Sequence, residues 1–537
     1  MGRIVPGKPY AAWVAAAALP LAALALYWST LRHPLVFDDF QLAGALGGVG
    51  SGIDLRALSN LSFGLVQALL GTDLAWQRLL NILMHGAVGA ALFGFLAELF
   101  ERVLGSAQAR WTAFFGALAF VLHPVAVYGV AYLIQRSIIM ATLFSVLSLW
   151  CALRGLSHRS WRWYAAAAAL YALAVFSKEH AIMLPAVAAA MAVLVGGATR
   201  ATLREFRPVF VVLCVVAGVV LYQTRSLIGV AYEQFVGDVA SAPSSQAFLL
   251  SVFNQGTLFF RYLLLWLLPC PCWMSVDLRP PFPTQLLAWP HTAGFVVFLA
   301  YAVAAAALLL RGGRLGLLGF GMLYPWLLAL TEFAVVRAQE PFVLYRSYLW
   351  MSGLPAILPA LSATLAPKPR YAVLTAACLA LVAPALNRID TFSSPLKLWD
   401  DAVRKNSGSS APYVERAYIN RGELLRGAGR LREALADFDR AIDLNPRLAV
   451  GYVGRATVRL SVGQVLLAQS DLDHAIALDP RFASAYAKRC VAKIELRRPR
   501  AEALADCETA LALDASDPES RAIACWAGVT PACAAVR

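Results

Sequence analysis

A chain of 537 residues with 60% hydrophobic and 15% charged residues is too long for one compact domain and too apolar for a soluble globule. Its net charge of +14 does not make it a nucleic-acid binder, because the basic residues punctuate the hydrophobic runs and form no stripe or recognition motif. Its nine cysteines fit no zinc-finger spacing.

The first apolar run, at about 10–29, follows Arg3 and Lys8. It is long enough to span a bilayer, which takes about 20 residues, so a retained anchor with a cytoplasmic N-terminus is expected. Beyond it, "LVFDDFQL" (35–42) sets Asp38 and Asp39 side by side. Further apolar stretches at about 77–99, 111–130, 137–153, 163–176, 180–196, 208–223, 291–310, 315–331, 348–365 and 371–387 bring the expectation to about eleven spans. The stretch at 254–268 is ambiguous, being short, carrying Arg261 and ending at Pro269. The cationic loops "RGLSHRSWR", "TRATLREFR", "RGGR" and "PKPR" share one side only if 254–268 does not span, so a re-entrant or interfacial helix is predicted there. On that topology Asp38, Asp39, "YLIQR" (132–136), "FSKEH" (176–180), "CWMSVDLRP" (272–280) and "AQEPFVLYRSY" (338–348) converge on the extracytoplasmic face. Charge gathered at one mouth of a membrane protein marks a site.

From about 413 the chain turns soluble and helical, with a countable period. Tyr418, Tyr452 and Tyr486 are 34 apart, as are Gly422, Ala456 and Cys490, and Pro446 and Pro480. This pattern resembles the tetratricopeptide repeat, three copies of which make a short binding groove. Arg421, Arg455 and Arg489 keep the same step; repeat chemistry explains them better than a ladder for an anionic ligand. Cys151, Cys214 and Cys378 read as small core residues; Cys490 and Cys507, at packed positions of one repeat, could bridge but read first as two small buried residues. The division expected is a membrane domain over 1–390, a linker over 391–412 and the repeats with a cap over 413–537.

"FDD" (37–39), "NILMH" (81–85), "LHPVAVYGVAYLIQR" (122–136), "FSKEHAIMLP" (176–185), "MSVD" (274–277), "YRSYL" (345–349) and "PLKLWDDAVRKN" (395–406), in that order and leading into repeats, are similar to the transmembrane-and-TPR O-mannosyltransferases and their bacterial relatives. The resemblance implies an all-α, GT-C-like membrane domain followed by a TPR α-solenoid. It also implies an inverting glycosyltransferase that moves a sugar from a polyprenyl-phosphate carrier to a hydroxyl of a protein recruited by the repeats.

That chemistry asks for a carboxylate base and for cations at the leaving phosphate. Asp38 or Asp39 is the expected base, the other orienting acceptor or sugar, since adjacent like charges push one pKa upward. Arg136 and Arg346 are the candidates for the phosphate, with Lys178 and Arg337 behind them. Glu179, Asp277 and Glu340 are second-tier acids; Tyr345 and Tyr348 are candidates to stack on a sugar or line a lipid groove; His85 and His123 read as structural. The resemblance puts a Glu where this chain has Tyr128 and an acidic or polar residue where it has Leu344, which bears on sugar and acceptor choice. No metal and no cofactor is expected beyond the lipid-linked sugar, and no nucleic acid. The site and the repeats are expected on the periplasmic side of a bacterial inner membrane, or in the lumen of the endoplasmic reticulum if the chain is eukaryotic. The alternatives are the same fold acting on a lipid or glycan acceptor, and a non-catalytic membrane-anchored scaffold for a secretion or pilus complex.

Overall fold

The computed structural model describes residues 9–42, 56–105, 109–227, 244–338, 340–409 and 411–529, and the elements among them are helical throughout. The chain divides into two compact units, Met1–Leu398 and Trp399–Arg537. The division falls inside the helix Pro395–Asn406.

In the first unit, nine helices among the described residues are long and apolar enough to cross a membrane. A tenth is added if Ala109–Leu122 and Pro124–Val130, bent by 48°, count as one. The bend has a local cause, since Pro124 cannot donate to the preceding turn.

Two expectations are corrected here. The 254–268 stretch lies in one continuous helix, Ser244–Leu267, of which 246–267 is long and apolar enough to span. Several polar side chains of this helix bond to protein groups outside it. Gln255 Nε2 donates to the Pro341 carbonyl at 2.8 Å, Ser251 Oγ accepts from Arg337 N–H, and Tyr262 donates to the Val343 carbonyl. Conversely, 348–365 is no single span. It is broken into Ser347–Trp350, Met351–Ile357 and Leu358–Leu361, with Pro355 and Pro359 interrupting the ladder. Gly353 lies so close to the Tyr324 ring that a Cβ would collide with it. The 163–176 stretch forms a 17-residue helix, Trp161–Ser177, at the lower edge of what a bilayer requires. The helix Ala57–Leu70 was not foreseen.

The second unit is three helix pairs: Glu415–Gly427 with Leu431–Leu444, Ala449–Ser461 with Val465–Leu478, and Ala483–Glu495 with Arg500–Leu513, capped by Pro518–Ala527. Close approach dictates the small residues. Gly422 faces the Phe438 ring, and a Cβ at Gly454 would collide with it. The recurring arginines are spent inside the solenoid. Arg421 grips Asp437 and Asp400, Arg455 grips Asp471 and Asp439, and Arg489 grips Asp506 and Asp473. Asp437, Asp471 and Asp506 are buried, and each arginine helps to neutralise one of them, with Arg459 also on Asp471 and Lys493 on Asp506.

Cys490 and Cys507 form a disulfide, the second of the two readings rather than two separate buried thiols. Small residues at facing positions of one helix pair bring their Cα atoms to 5.5 Å, within bridging reach. Cys270 and Cys272 are also bridged. Cys378 is buried, whereas Cys214 is exposed on the helix Arg200–Thr224 and is not a core residue. A Cys490→Ala/Cys507→Ala double variant removes the cross-link and frees the unfolded tail. It is expected to lose about 2–4 kcal/mol of stability in that unit, read by denaturant-dependent proteolysis of the tail.

Candidate active site

The two adjacent aspartates have different environments. The turn Phe37–Phe40 follows the first long helix, and Phe37 sits at φ 51°, a conformation that bulky residues rarely adopt. Asp39 is fully buried, and its carboxylate accepts the N–H of Ile134 at 2.8 Å and of Val36 at 3.3 Å. Burial pushes its pKa up to about 6 against those hydrogen bonds. Asp38 is half-buried and accepts from the Tyr132 hydroxyl at 2.8 Å. Burial and the neighbouring Asp38 keep Tyr132 protonated well above its ordinary range, so it is a constant donor.

Asp38 lines a narrow niche with Phe37, Tyr132, Asp277, Glu340 and Tyr345. Phe37 stacks on Tyr132 at 6.1 Å, and the Tyr345 ring lies 6.2 Å from Tyr132. Asp277 is buried and paired with Arg279, 3.1 Å from Nη2.

The cations lie directly behind. Lys178 is 3% exposed; its ammonium donates to Gln135 Oε1 at 3.3 Å and lies 5.1 Å from the centre of the Tyr345 ring. Burial pulls its pKa down to about 8, with Arg56, Arg346 and Arg337 pushing the same way against Glu179. Arg346 pairs with Glu332 at 3.1 Å and Glu340 at 3.7 Å, and Arg337 with Glu332 at 3.3 Å. Glu179 sits beside them, 3.4 Å from His180.

Other expected residues stand apart from the niche. Arg136 is fully buried: Nε donates to Asn81 at 2.7 Å, Nη2 to the Gln77 side chain at 2.7 Å, and Nη1 to Ser62 at 3.3 Å, with the guanidinium 3.7 Å over the Phe63 ring. Asn81 in turn donates to the Leu133 carbonyl at 3.2 Å, so Arg136 and Asp39 hold the two faces of one turn. Tyr348 is buried against His85, 2.6 Å from Nδ1, and Tyr128 packs edge-on against Phe392. His123 stacks on Trp266 at 4.1 Å.

The sequence reading missed Glu332, which is buried and contacts His180, Arg337 and Arg346. It stands inside an apolar stretch, and a single acid deep in such a stretch is the signal to look for. Arg78, Arg279 and Arg388 were also missed. Among the described residues no group of three or more His, Cys, Asp or Glu is arranged to hold a metal ion.

Beside the site lies an apolar cavity of about 640 Å³ lined by Phe120, His123, Trp266, Leu354, Leu358 and Leu381 among others. Trp266 Nε1 donates to Ser347 Oγ at 3.0 Å, which ties the cavity wall to the residue after Arg346.

These features define a polytopic membrane protein with a charged niche at one end of its helices and a tetratricopeptide tail. Residues 58–222 match the family described as dolichyl-phosphate-mannose-protein mannosyltransferase, and residues 415–448 match the tetratricopeptide repeat. The chain is similar to the protein O-mannosyl-transferases TMTC2. It is 29% identical to that of Homo sapiens over 328 residues, 52% of this chain and 38% of that protein. It is 29% identical to that of Mus musculus over 199 residues, 32% of this chain and 23% of that protein. The matched part thus spans well under half the length of these relatives. Among solved structures, the Arabidopsis OM64 TPR domain is 25% identical, covering 21% of this chain and 94% of that one with a TM-score of 0.20.

An anion placed against Lys178 stabilises its charged form, and a cation with a pKa near 8 is lost as pH rises through that value. Binding of an anion such as inorganic phosphate at this ammonium is therefore expected to weaken above about pH 8. Lys178→Arg, charged throughout, should flatten that dependence in a titration of phosphate affinity against pH.

Proposed function

We propose that the chain is an integral-membrane, inverting glycosyltransferase that moves a sugar, mannose on the strength of its relatives, from a polyprenyl-phosphate carrier to a hydroxyl of a protein acceptor. The observation that carries this reading is the niche itself. Asp38 opens into it beside Tyr132 and Tyr345, and the cations Lys178, Arg337 and Arg346 are grouped directly behind Tyr345 and Glu340.

Asp38 takes the proton from the acceptor hydroxyl as that oxygen attacks the anomeric carbon. The bond from that carbon to the phosphate oxygen breaks, and its electron pair leaves on the lipid phosphate. Lys178, Arg346 and Arg337 stabilise the charge that builds there, in surroundings where fixed cations act strongly. Asp277, Glu340 and Glu179 remain the acids for sugar hydroxyls or for holding the cations. Tyr132 and Tyr345 offer rings to the sugar. Asp39 and Arg136 serve by fixing the turn 132–136, because their polar atoms are engaged with protein groups. In this mechanism the fixed cations carry the leaving-group charge, and neither a metal nor a further cofactor is called for. The 640 Å³ apolar cavity, tied through Trp266 to Ser347, suits the isoprenoid chain of the donor.

The repeats would recruit the acceptor protein. The Cys490–Cys507 bridge inside them supports an oxidising compartment for the tail, either the periplasm or the endoplasmic reticulum lumen.

Purified enzyme given polyprenyl-phosphate mannose and an acceptor should lose transfer by about a hundredfold or more in Asp38→Asn. Asp38→Asn with wild-type turnover would rule out this base. Asp39→Ala should act through stability instead, at about 1–3 kcal/mol for each buried N–H left without an acceptor, read as a lower midpoint of thermal unfolding. Truncation before residue 413 separates acceptors: transfer to protein should collapse, whereas transfer to a small lipid or glycan acceptor would survive.

A further inference from the structure

Arg337 and Arg346 lie near the two ends of an irregular segment, and both return to one carboxylate. The helix Gly313–Ala329 ends in the turn Leu330–Ala334, which carries Glu332. From Val335 to Val343 the described chain is not helical, and this stretch brings Glu340 and Val343 to the niche. Glu332 is 2% exposed. Its Oε2 lies 3.1 Å from Arg346 Nη1 and 3.3 Å from Arg337 Nε, and its Oε1 lies 3.0 Å from His180 Nε2. Its two oxygens thus divide three cationic or proton-donating groups from separate segments. On the opposite flank, Ser251, Gln255 and Tyr262 hold the backbone of the same stretch at Arg337, Pro341 and Val343.

We propose that Glu332 is the positioning residue for the phosphate-binding cations: by gripping Arg337 and Arg346 together it aims their remaining donors at the donor's phosphate. This rests on the reading of the niche as a polyprenyl-phosphate site. A buried carboxylate suits the task because it fixes guanidinium orientation without itself contacting the ligand. Its charge is divided between the two arginines and His180. A loose pair of arginines in the same place would repel one another.

The experiment measures the affinity of the full-length protein in detergent for polyprenyl phosphate, and separately the KM for polyprenyl-phosphate mannose with a Ser/Thr peptide. The proteins are wild type, Glu332→Gln, Glu332→Asp, Arg346→Ala and the Glu332→Gln/Arg346→Ala double variant. Glu332→Gln should weaken polyprenyl-phosphate binding and raise the donor KM by about tenfold or more, with a smaller change in kcat. Glu332→Asp should recover part of the loss. The double variant should be no worse than about the weaker single variant, because the two residues act through one contact. Wild-type affinity in Glu332→Gln, or losses that multiply in the double variant, would overturn the positioning role. Glu332-dependent binding without sugar transfer by the wild type would keep that role and reject the transferase reading. A wild type that does not bind polyprenyl phosphate rejects both. If Glu332→Gln does not fold, Glu332→Asp and Arg337→Lys carry the same comparison.

Discussion

The hydrogen bond from Ile134 N–H to the Asp39 carboxylate joins two segments 95 positions apart. On the far side of the same turn, Asn81 holds the Leu133 carbonyl and is itself held by Arg136. An irregular turn among membrane helices has no water to satisfy its backbone, so protein groups must do so. Asp39 and Asn81 do it here, and the rest of the niche depends on the result. Tyr132 starts that turn and holds Asp38; Gln135 ends it and holds Lys178.

The same economy of partners runs through both units. In the first, Glu332 gathers His180, Arg337 and Arg346. In the second, a repeated arginine gathers one buried and one outer aspartate at each step. In both units a charge is tolerated in the interior because a partner of opposite sign is fixed beside it. The difference lies in what is left over. The solenoid arginines have both ends of their forks engaged by carboxylates, whereas the Lys178 ammonium donates to a neutral amide and packs by a ring, with Glu179 as the opposing charge nearby. In the proposed mechanism that ammonium meets an anion that arrives with the substrate.

The broken helices serve the same end. Pro124 bends one span just before Tyr128 and the 132–136 turn. Pro355 and Pro359 break up the stretch after Ser347, and residues Met351 to Leu361 then line the apolar cavity. A regular helix in either place would have filled the space with its own side chains. The helix Ser244–Leu267 makes the complementary contribution, offering Ser251, Gln255 and Tyr262 to a segment with no ladder of its own.

The sequence alone determined the class of fold, because long apolar runs and a 34-residue period follow from local pattern and need no long-range information. It also singled out the loops that meet, since charges flanking apolar runs stand out in one dimension. It did not determine which of two adjacent aspartates is open, that Arg136 faces Asn81 and Gln77 rather than the niche, or that Glu332 lies beneath it. Nor did it show that 246–267 is one long helix, or that Cys490 and Cys507 are bridged. Each of those depends on which backbone or side chain, dozens to hundreds of residues away, supplies the missing partner. Only the packed tertiary structure fixes that choice.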